Sequence, residues 1–219
     1  MNRTVRHLPL CLLALLLPLP AMAAGAAGLY TGDEGHEVAA QLLLREDGSY
    51  AYALSVGALD EESQGRWEER DEAITLITEP KPAPPQFTPA PAPAAAASGA
   101  EPPPYLLVTL PNGRGIAGID FTITCADGTR IDGYTQVYGW NFEAETCALP
   151  QEIALSEPIH AIESPPYPIA PGATALHFHL VPNDIGRVDL TGTLVVIEGE
   201  KLTLVSERGQ IRFRRAKPR

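Results

Sequence analysis

The chain is short of positive charge and of cysteine, and it lacks the motifs of the commoner enzyme classes. Sixteen Lys and Arg stand against 27 Asp and Glu, giving a net charge of −11. That balance repels polyanions, so binding to a nucleic-acid backbone or an anionic membrane surface by bulk charge is excluded. There are three cysteines and no Cys-x-x-Cys, which leaves thiol oxidoreductase chemistry without support. No Gly-x-Ser-x-Gly elbow, no His-Glu-x-x-His and no phosphate-cradling Gly loop followed by Lys-Ser/Thr occurs. Carboxylate pairs such as Glu143 and Glu145 exist, but any acidic chain offers them. At 219 residues, one large domain or two small ones fit. Apolar residues at 45% suffice for a core, while 22 Pro and 19 Gly favour short strands and turns over long helices.

Residues 2–7 form a short basic region, followed by the apolar run Leu8 to Leu19 and the small-x-small site Ala21-Met22-Ala23. This three-part pattern predicts a secretory signal peptide over 1–23, with a periplasmic or secreted mature chain starting at Ala24. The apolar run is 12 residues, broken by Pro9 and Pro18, and is too short for a membrane span of about 20. No membrane span is therefore expected after cleavage. Loss of Arg3 and Arg6 takes the net charge to −13. Loss of Cys11 leaves Cys125 and Cys147, an even number that in an oxidising compartment suggests one disulfide, with two buried thiols as the alternative.

From Pro80 to Pro104, 10 of 25 residues are Pro and 8 are Ala. Such composition favours extended, exposed chain, so residues 80–104 are expected to be a linker. Before it, residues 24–79 carry 13 acids and 3 bases; after it, residues 105–219 carry 13 acids and 10 bases. The acidity belongs to the first unit. Asp60-Glu61-Glu62 and Glu68 to Glu72 are expected at solvated turns.

Asp47-Gly48 between the apolar run 41–44 and the alternation Tyr50, Tyr52, Leu54, Val56 predicts a hairpin, and Gly65-Arg66-Trp67 leading to Ile74–Thr78 predicts a second. Residues 24–79 therefore read as an acidic β-meander of about four strands. Residues 200–205 and 208–213 echo 72–77 and 47–52. That echo is either ordinary hairpin grammar or a duplication. In the second case residues 190–219 pair with 24–79 in one barrel. Gly-x-Trp followed by a turn and a Leu/Ile-rich strand resembles the small lipocalin-like barrels of exported bacterial lipoproteins, which implies a small apolar ligand in the interior.

In residues 112–142, turns at Asn112-Gly113, Asp127-Gly128 and Asp132-Gly133 separate the strands Ile116–Thr124 and Tyr134–Val137. Gly115, Gly118, Ile119, Thr135, Gly139 and Trp140 resemble the transthyretin-like and carboxypeptidase-regulatory-like modules, with Gln136 in place of their usual Asp. The resemblance implies a non-catalytic β-sandwich with a docking or accessory role. A Cys125–Cys147 bridge would tie its layer together.

The sharpest candidate for chemistry is His177-Phe178-His179. On a strand both imidazoles share one face and could form half of a transition-metal site, leaving Leu176, Phe178 and Leu180 to pack on the other. His36, His160 or a carboxylate would have to complete it. Intradiol dioxygenases, which resemble this order of elements, bind ferric iron through two Tyr and a His-x-His pair. Tyr134 or Tyr138, with Tyr167, are the corresponding phenols, but only ten residues separate Tyr167 from His177. Taken whole, the chain resembles the uncharacterised exported proteins of Gram-negative bacteria. The fold expected is all-β: an antiparallel meander or barrel-like unit, a Pro/Ala-rich linker, and a transthyretin-like β-sandwich over 105–219. The function expected is non-catalytic, without a cofactor, binding an envelope protein or small ligand. A metal-binding or ferric dioxygenase-like protein using His177 and His179, and a small apolar ligand carrier, are the alternatives.

Overall fold

A computed structural model describes residues 25–32, 38–91, 105–142 and 147–217. Residues 1–23, expected to be a signal peptide, and His36, residues 92–104 and the pair Glu143 and Glu145 lie outside the described residues. Every regular element described is a strand, and no helix is long and apolar enough to cross a membrane.

Five strands come first: β1 (Gly28–Gly32), β2 (Val38–Leu44), β3 (Ser49–Val56), β4 (Leu59–Arg70) and β5 (Ala73–Thr78). The β2–β3 turn forms as its sequence demands. The Asp47 carboxylate accepts the Ser49 N–H at 2.9 Å, and Gly48 takes a φ of 81°, which a side chain would strain. Eight strands follow in the middle of the chain: β6 (Gln86–Pro89), β7 (Leu106–Thr109), β8 (Asp120–Cys125), β9 (Arg130–Tyr134), β10 (Pro150–Glu157), β11 (Ile162–Glu163), β12 (Tyr167–Pro168) and β13 (Leu176–Val181). The last three are β14 (Leu194–Glu198), β15 (Lys201–Ser206) and β16 (Gly209–Arg215).

The first five and last three strands close into one antiparallel barrel, in the order β1-β16-β15-β14-β5-β4-β3-β2. An eight-stranded barrel leaves an interior that side chains can just fill. Here Tyr30, Leu42, Tyr50, Ile74, Leu76 and Phe213 are almost wholly inaccessible and belong to a single core cluster, so the lumen is packed. The middle strands form two sheets, one of β11-β10-β8-β9 with β12 beside β10, the other of β6-β13-β7. Phe87, Val108 and Phe178 from the second sheet share a core with Phe121, Ile123 and Ile153 from the first. Cys125 and Cys147 form a disulfide with Cα atoms 5.9 Å apart.

The two units meet where the barrel wall is incomplete. Strand β5 pairs with β4 only from Arg70↔Ala73 to Gly65↔Thr78, leaving the Leu59–Gln64 half of β4 without a strand on that side. The segment returning from β13 takes the place. The Glu62 N–H donates to the Gly186 carbonyl at 2.8 Å, and the Val188 N–H donates to the Glu62 carbonyl at 2.9 Å. Leu190 and Val188 join the barrel core. Beneath them the Leu190 N–H donates to Thr78 Oγ1 at 2.7 Å, while the Tyr50, Ser63 and Thr78 hydroxyls bond one another at 2.8 to 3.2 Å. No hydroxyl in that buried triangle lacks a partner.

Several expectations need correction. Residues 190–219 take the second of their two expected placements and do not extend the middle unit to residue 219: from Leu194 they complete the barrel, because β14 pairs with β5 and β16 with β1. The last strand, β16, thereby has a neighbour on each side, β1 and β15. The linker boundary also shifts: residues 86–89 form β6 against β13, and Phe87 is buried. Pro89 is tolerated there because β6 is an edge strand with no need of every N–H. The first segment holds five strands rather than about four. Asp60-Glu61-Glu62 is not a turn, since it lies within β4, which turns earlier at Gly57. Asp60 and Glu62 point outward, whereas the Glu61 side chain is turned inward and pairs with Arg208.

Two stability effects follow. Thr78→Val removes the acceptor of the Leu190 N–H and leaves buried hydroxyls short of a partner, so it should cost about 1–3 kcal/mol in urea unfolding and accelerate hydrogen exchange at Leu190. Opening the 22-residue separation by Cys125→Ala with Cys147→Ala should cost about 3 kcal/mol in the chain-entropy account, and reducing the wild-type protein should reproduce that loss.

Candidate functional site

The histidines lie where strand alternation puts them. On β13, His177 and His179 share one face while Phe178 and Leu180 are buried on the other, and the two rings meet edge to face with centroids 5.0 Å apart. Strand β7 runs parallel to β13 with Thr109 opposite His179. The Thr109 hydroxyl, itself buried, lies 3.0 Å from His177 Nε2 and 2.9 Å from His179 Nδ1. His177 Nδ1 lies 2.7 Å from the Pro91 carbonyl, which can only accept, so this nitrogen carries the proton. With neutral rings the remaining directions are set: Thr109 donates to His177 Nε2 and accepts from His179 Nδ1–H. The chain of bonds leaves His179 Nε2 as the one acceptor without an assigned partner in it.

Both converging nitrogens are therefore occupied by Thr109 rather than presented together to an ion. Among the described residues no group of three or more His, Cys, Asp or Glu is placed to hold a metal. His160 is elsewhere, with Nδ1 3.0 Å from Glu157 Oε2. Nor are the phenols gathered about the pair. Tyr167 packs on Phe178, on the opposite face of β13, and donates to the Phe87 carbonyl at 2.7 Å. Tyr134 and Tyr138 are exposed.

A groove on the outside of the barrel is the feature that sequence reasoning missed. Its floor is built from residues that alternate with the buried Ala40, Leu42, Tyr50 and Tyr52 and so face outward. One row across the sheet is Leu29, Leu43, Ala51 and Gln64. The next is Gln41, Ala53 and Glu62; the third is Ala39, Ser55 and Asp60. Over the first two rows stand Pro80, Pro82 and Val188, enclosing about 310 Å³. Over the lower rows Ile185 and Gly186 enclose a further space of about 510 Å³, and Gln41, Ala53 and Glu62 line both, so the two are continuous. The signal in the sequence was faint: outward positions of β2 and β3 carry Ala, Gln, Leu and Ser, where a solvated strand face would carry charge. Outward positions on β4 do carry it, as Asp60, Glu62, Arg66, Glu68 and Arg70.

The roof consists of the two chain connections between barrel and middle unit, and they are fastened to each other. The Ala83 N–H donates to Asp184 Oδ2 at 2.8 Å, Asn183 Nδ2 donates to the Pro84 carbonyl at 2.7 Å, and Lys81 Nζ lies 3.2 Å from Asp189 Oδ2. Arg187 Nε donates to Glu62 Oε1 at 3.1 Å, tying roof to floor. At the barrel end nearby, burial pushes the Tyr52 phenol well above its ordinary range; Glu61 adds to the shift and Arg208 opposes it. Tyr52 consequently stays a neutral donor at any physiological pH. Compared with protein-family models, with curated proteins and with solved structures, the chain matches none.

Acid should loosen this roof. The hydroxyl and N–H of Thr191, with Lys81 adding less, hold the Asp189 carboxyl below its ordinary value. A depressed native value contributes stability above the unfolded carboxyl pKa of about 4, and that contribution is lost as pH falls through the native one. In urea unfolding at pH 6 and pH 3, the Asp189→Asn variant is therefore expected to lose less stability over the interval than the wild type.

Proposed function

We propose that the chain is an exported, non-catalytic β-protein of the Gram-negative cell envelope that binds its ligand or partner in the groove between barrel and middle unit. The observation that carries this is the uncharged outer face of β2 and β3, which lies under a roof of Pro80, Pro82 and Val188 at one end and of Ile185 and Gly186 at the other. An apolar concavity with a few polar groups at its rim is the usual form of a small-ligand or peptide site. The lipocalin-like carrier reading moves with it, from the lumen, which Tyr30, Tyr50 and Phe213 fill, to the outer wall. Export is supported by the leader pattern at 1–23 and by the disulfide, which persists in oxidising compartments.

The accessory role of the middle unit is supported by features shared with the transthyretin-like pattern. Gly115 sits so close to the Val137 backbone that no Cβ would fit. The fully buried Thr135 donates to the Ile116 carbonyl at 2.9 Å and accepts from the Ile119 N–H at 3.3 Å. Tyr134, Val137 and Tyr138 beside these contacts are exposed.

Nile red, a neutral apolar dye, tests the groove. Its fluorescence should rise on binding the wild-type protein with one saturable site, and Ala53→Trp, which fills the floor on a solvent-facing strand position, should abolish the rise without changing thermal unfolding. Equal binding by both proteins would refute the groove as the site. Export is checked by fractionating a Gram-negative host: the mature protein should be periplasmic or secreted, with Ala24 as its first residue.

A further inference from the structure

The groove is asymmetric along its length, and the asymmetry describes its occupant. At the end formed by Leu29, Leu43 and Ala51 it is apolar, with Pro80 and Pro82 above. At the other end the outward carboxylates of Asp60 and Glu62 line it. Two guanidiniums serve that end: Arg187 bridges Glu62 at 3.1 Å and Asp184 at 3.8 Å, and Arg208 pairs with Glu61. Glu61 and Arg208 pair with each other on the inner face, so on the groove side Asp60, Glu62 and Asp184 stand against Arg187 and leave the end negative. The unit that carries it, residues 24–79, is itself acidic, with 13 acids and 3 bases, which reinforces the local field.

The floor follows β3 from Ala51 to Ser55, about 13 Å at strand rise, and an extended peptide covers that distance in about four residues. Gln41 and Gln64 stand among these small side chains with amides able both to donate and to accept. Such groups satisfy peptide N–H and carbonyl groups, and an alkyl chain would leave them without partners. The barrel strands already pair on both sides here, so the occupant is recognised by side chains and shape rather than by joining a sheet.

Resting on the groove reading above, we infer that the groove takes an extended apolar peptide segment ending in a positive charge: small aliphatic side chains lie over Ala51 and Ala53, and a Lys or Arg reaches the Asp60–Glu62 end. The acidic exported chain is thereby a binder of cationic, aliphatic polypeptide segments.

The test uses the full exported chain and three acetylated, amidated hexapeptides of alternating Val and Ala, ending in Lys, norleucine or Glu, in calorimetric titration and in displacement of Nile red. The Lys peptide is expected to bind about tenfold more tightly than the Glu peptide at low salt, with the gap shrinking in 0.5 M NaCl. Asp60→Asn should narrow the gap, and Ala53→Trp should abolish binding of all three. Equal or tighter binding of the Glu peptide would overturn the charge assignment. Displacement of Nile red by dodecylammonium but by none of the peptides would overturn the peptide assignment while leaving the groove reading in place. If Nile red itself is indifferent to Ala53→Trp, the groove reading fails, and this inference falls with it.

Discussion

Strand β4 is twice as long as its neighbour β5, and the Leu59–Gln64 half that outruns it needs partners for its backbone groups and cover for the core behind it. A buried, unpaired strand edge costs the desolvation of every free N–H and carbonyl, so the wall cannot simply stop. It is finished by residues 186–190 coming back from the middle unit, which bond the Glu62 N–H and carbonyl and drop Val188 and Leu190 onto the barrel core. Everything else about the molecule's arrangement depends on that repair. The barrel is complete only with the middle unit's return connection in place, and the connection is held there because the barrel requires it.

The groove is a by-product of the same joint. A connection obliged to lie along β4 stands proud of the sheet beside it, and the outgoing connection is bound to it through Ala83–Asp184 and Lys81–Asp189. Small outward residues at Ala51 and Ala53 leave the space beneath unfilled. A Leu or Lys at either position would close it. The roof thus has a structural reason to exist, while the smallness of the floor has none that packing requires.

The histidine pair shows the reverse relation between conspicuous sequence and function. His177-Phe178-His179 is the sharpest chemical motif in the chain, and the fold uses it to fasten β13 to β7 and to the chain at Pro91. One buried hydroxyl bonds a ring nitrogen of each of two half-buried imidazoles. The geometry that brings the nitrogens together is the geometry that occupies them.

Much of the local structure was legible without coordinates. Asp47-Gly48 marked its hairpin through an Asx turn and a positive φ, alternation marked β3 and β13, and the pair Cys125 and Cys147 marked the disulfide. These are short-range statements, settled by sterics, turn chemistry and period-two burial within a few residues. Which strands become neighbours is decided by closure instead. Residues 194–215 find β5 and β1 across more than a hundred residues because eight strands can bury both faces of the core and five cannot. The same long-range requirement draws Gln86–Pro89 out of a Pro/Ala-rich stretch to serve as an edge, against what composition suggests, since pairing with β13 buries Phe87. The groove itself exists only once the return connection has been laid along the wall. By itself the sequence determined the strands and their turns. The tertiary structure alone decided which of them share a wall, because unpaired backbone and uncovered core are satisfied only by segments distant in the chain.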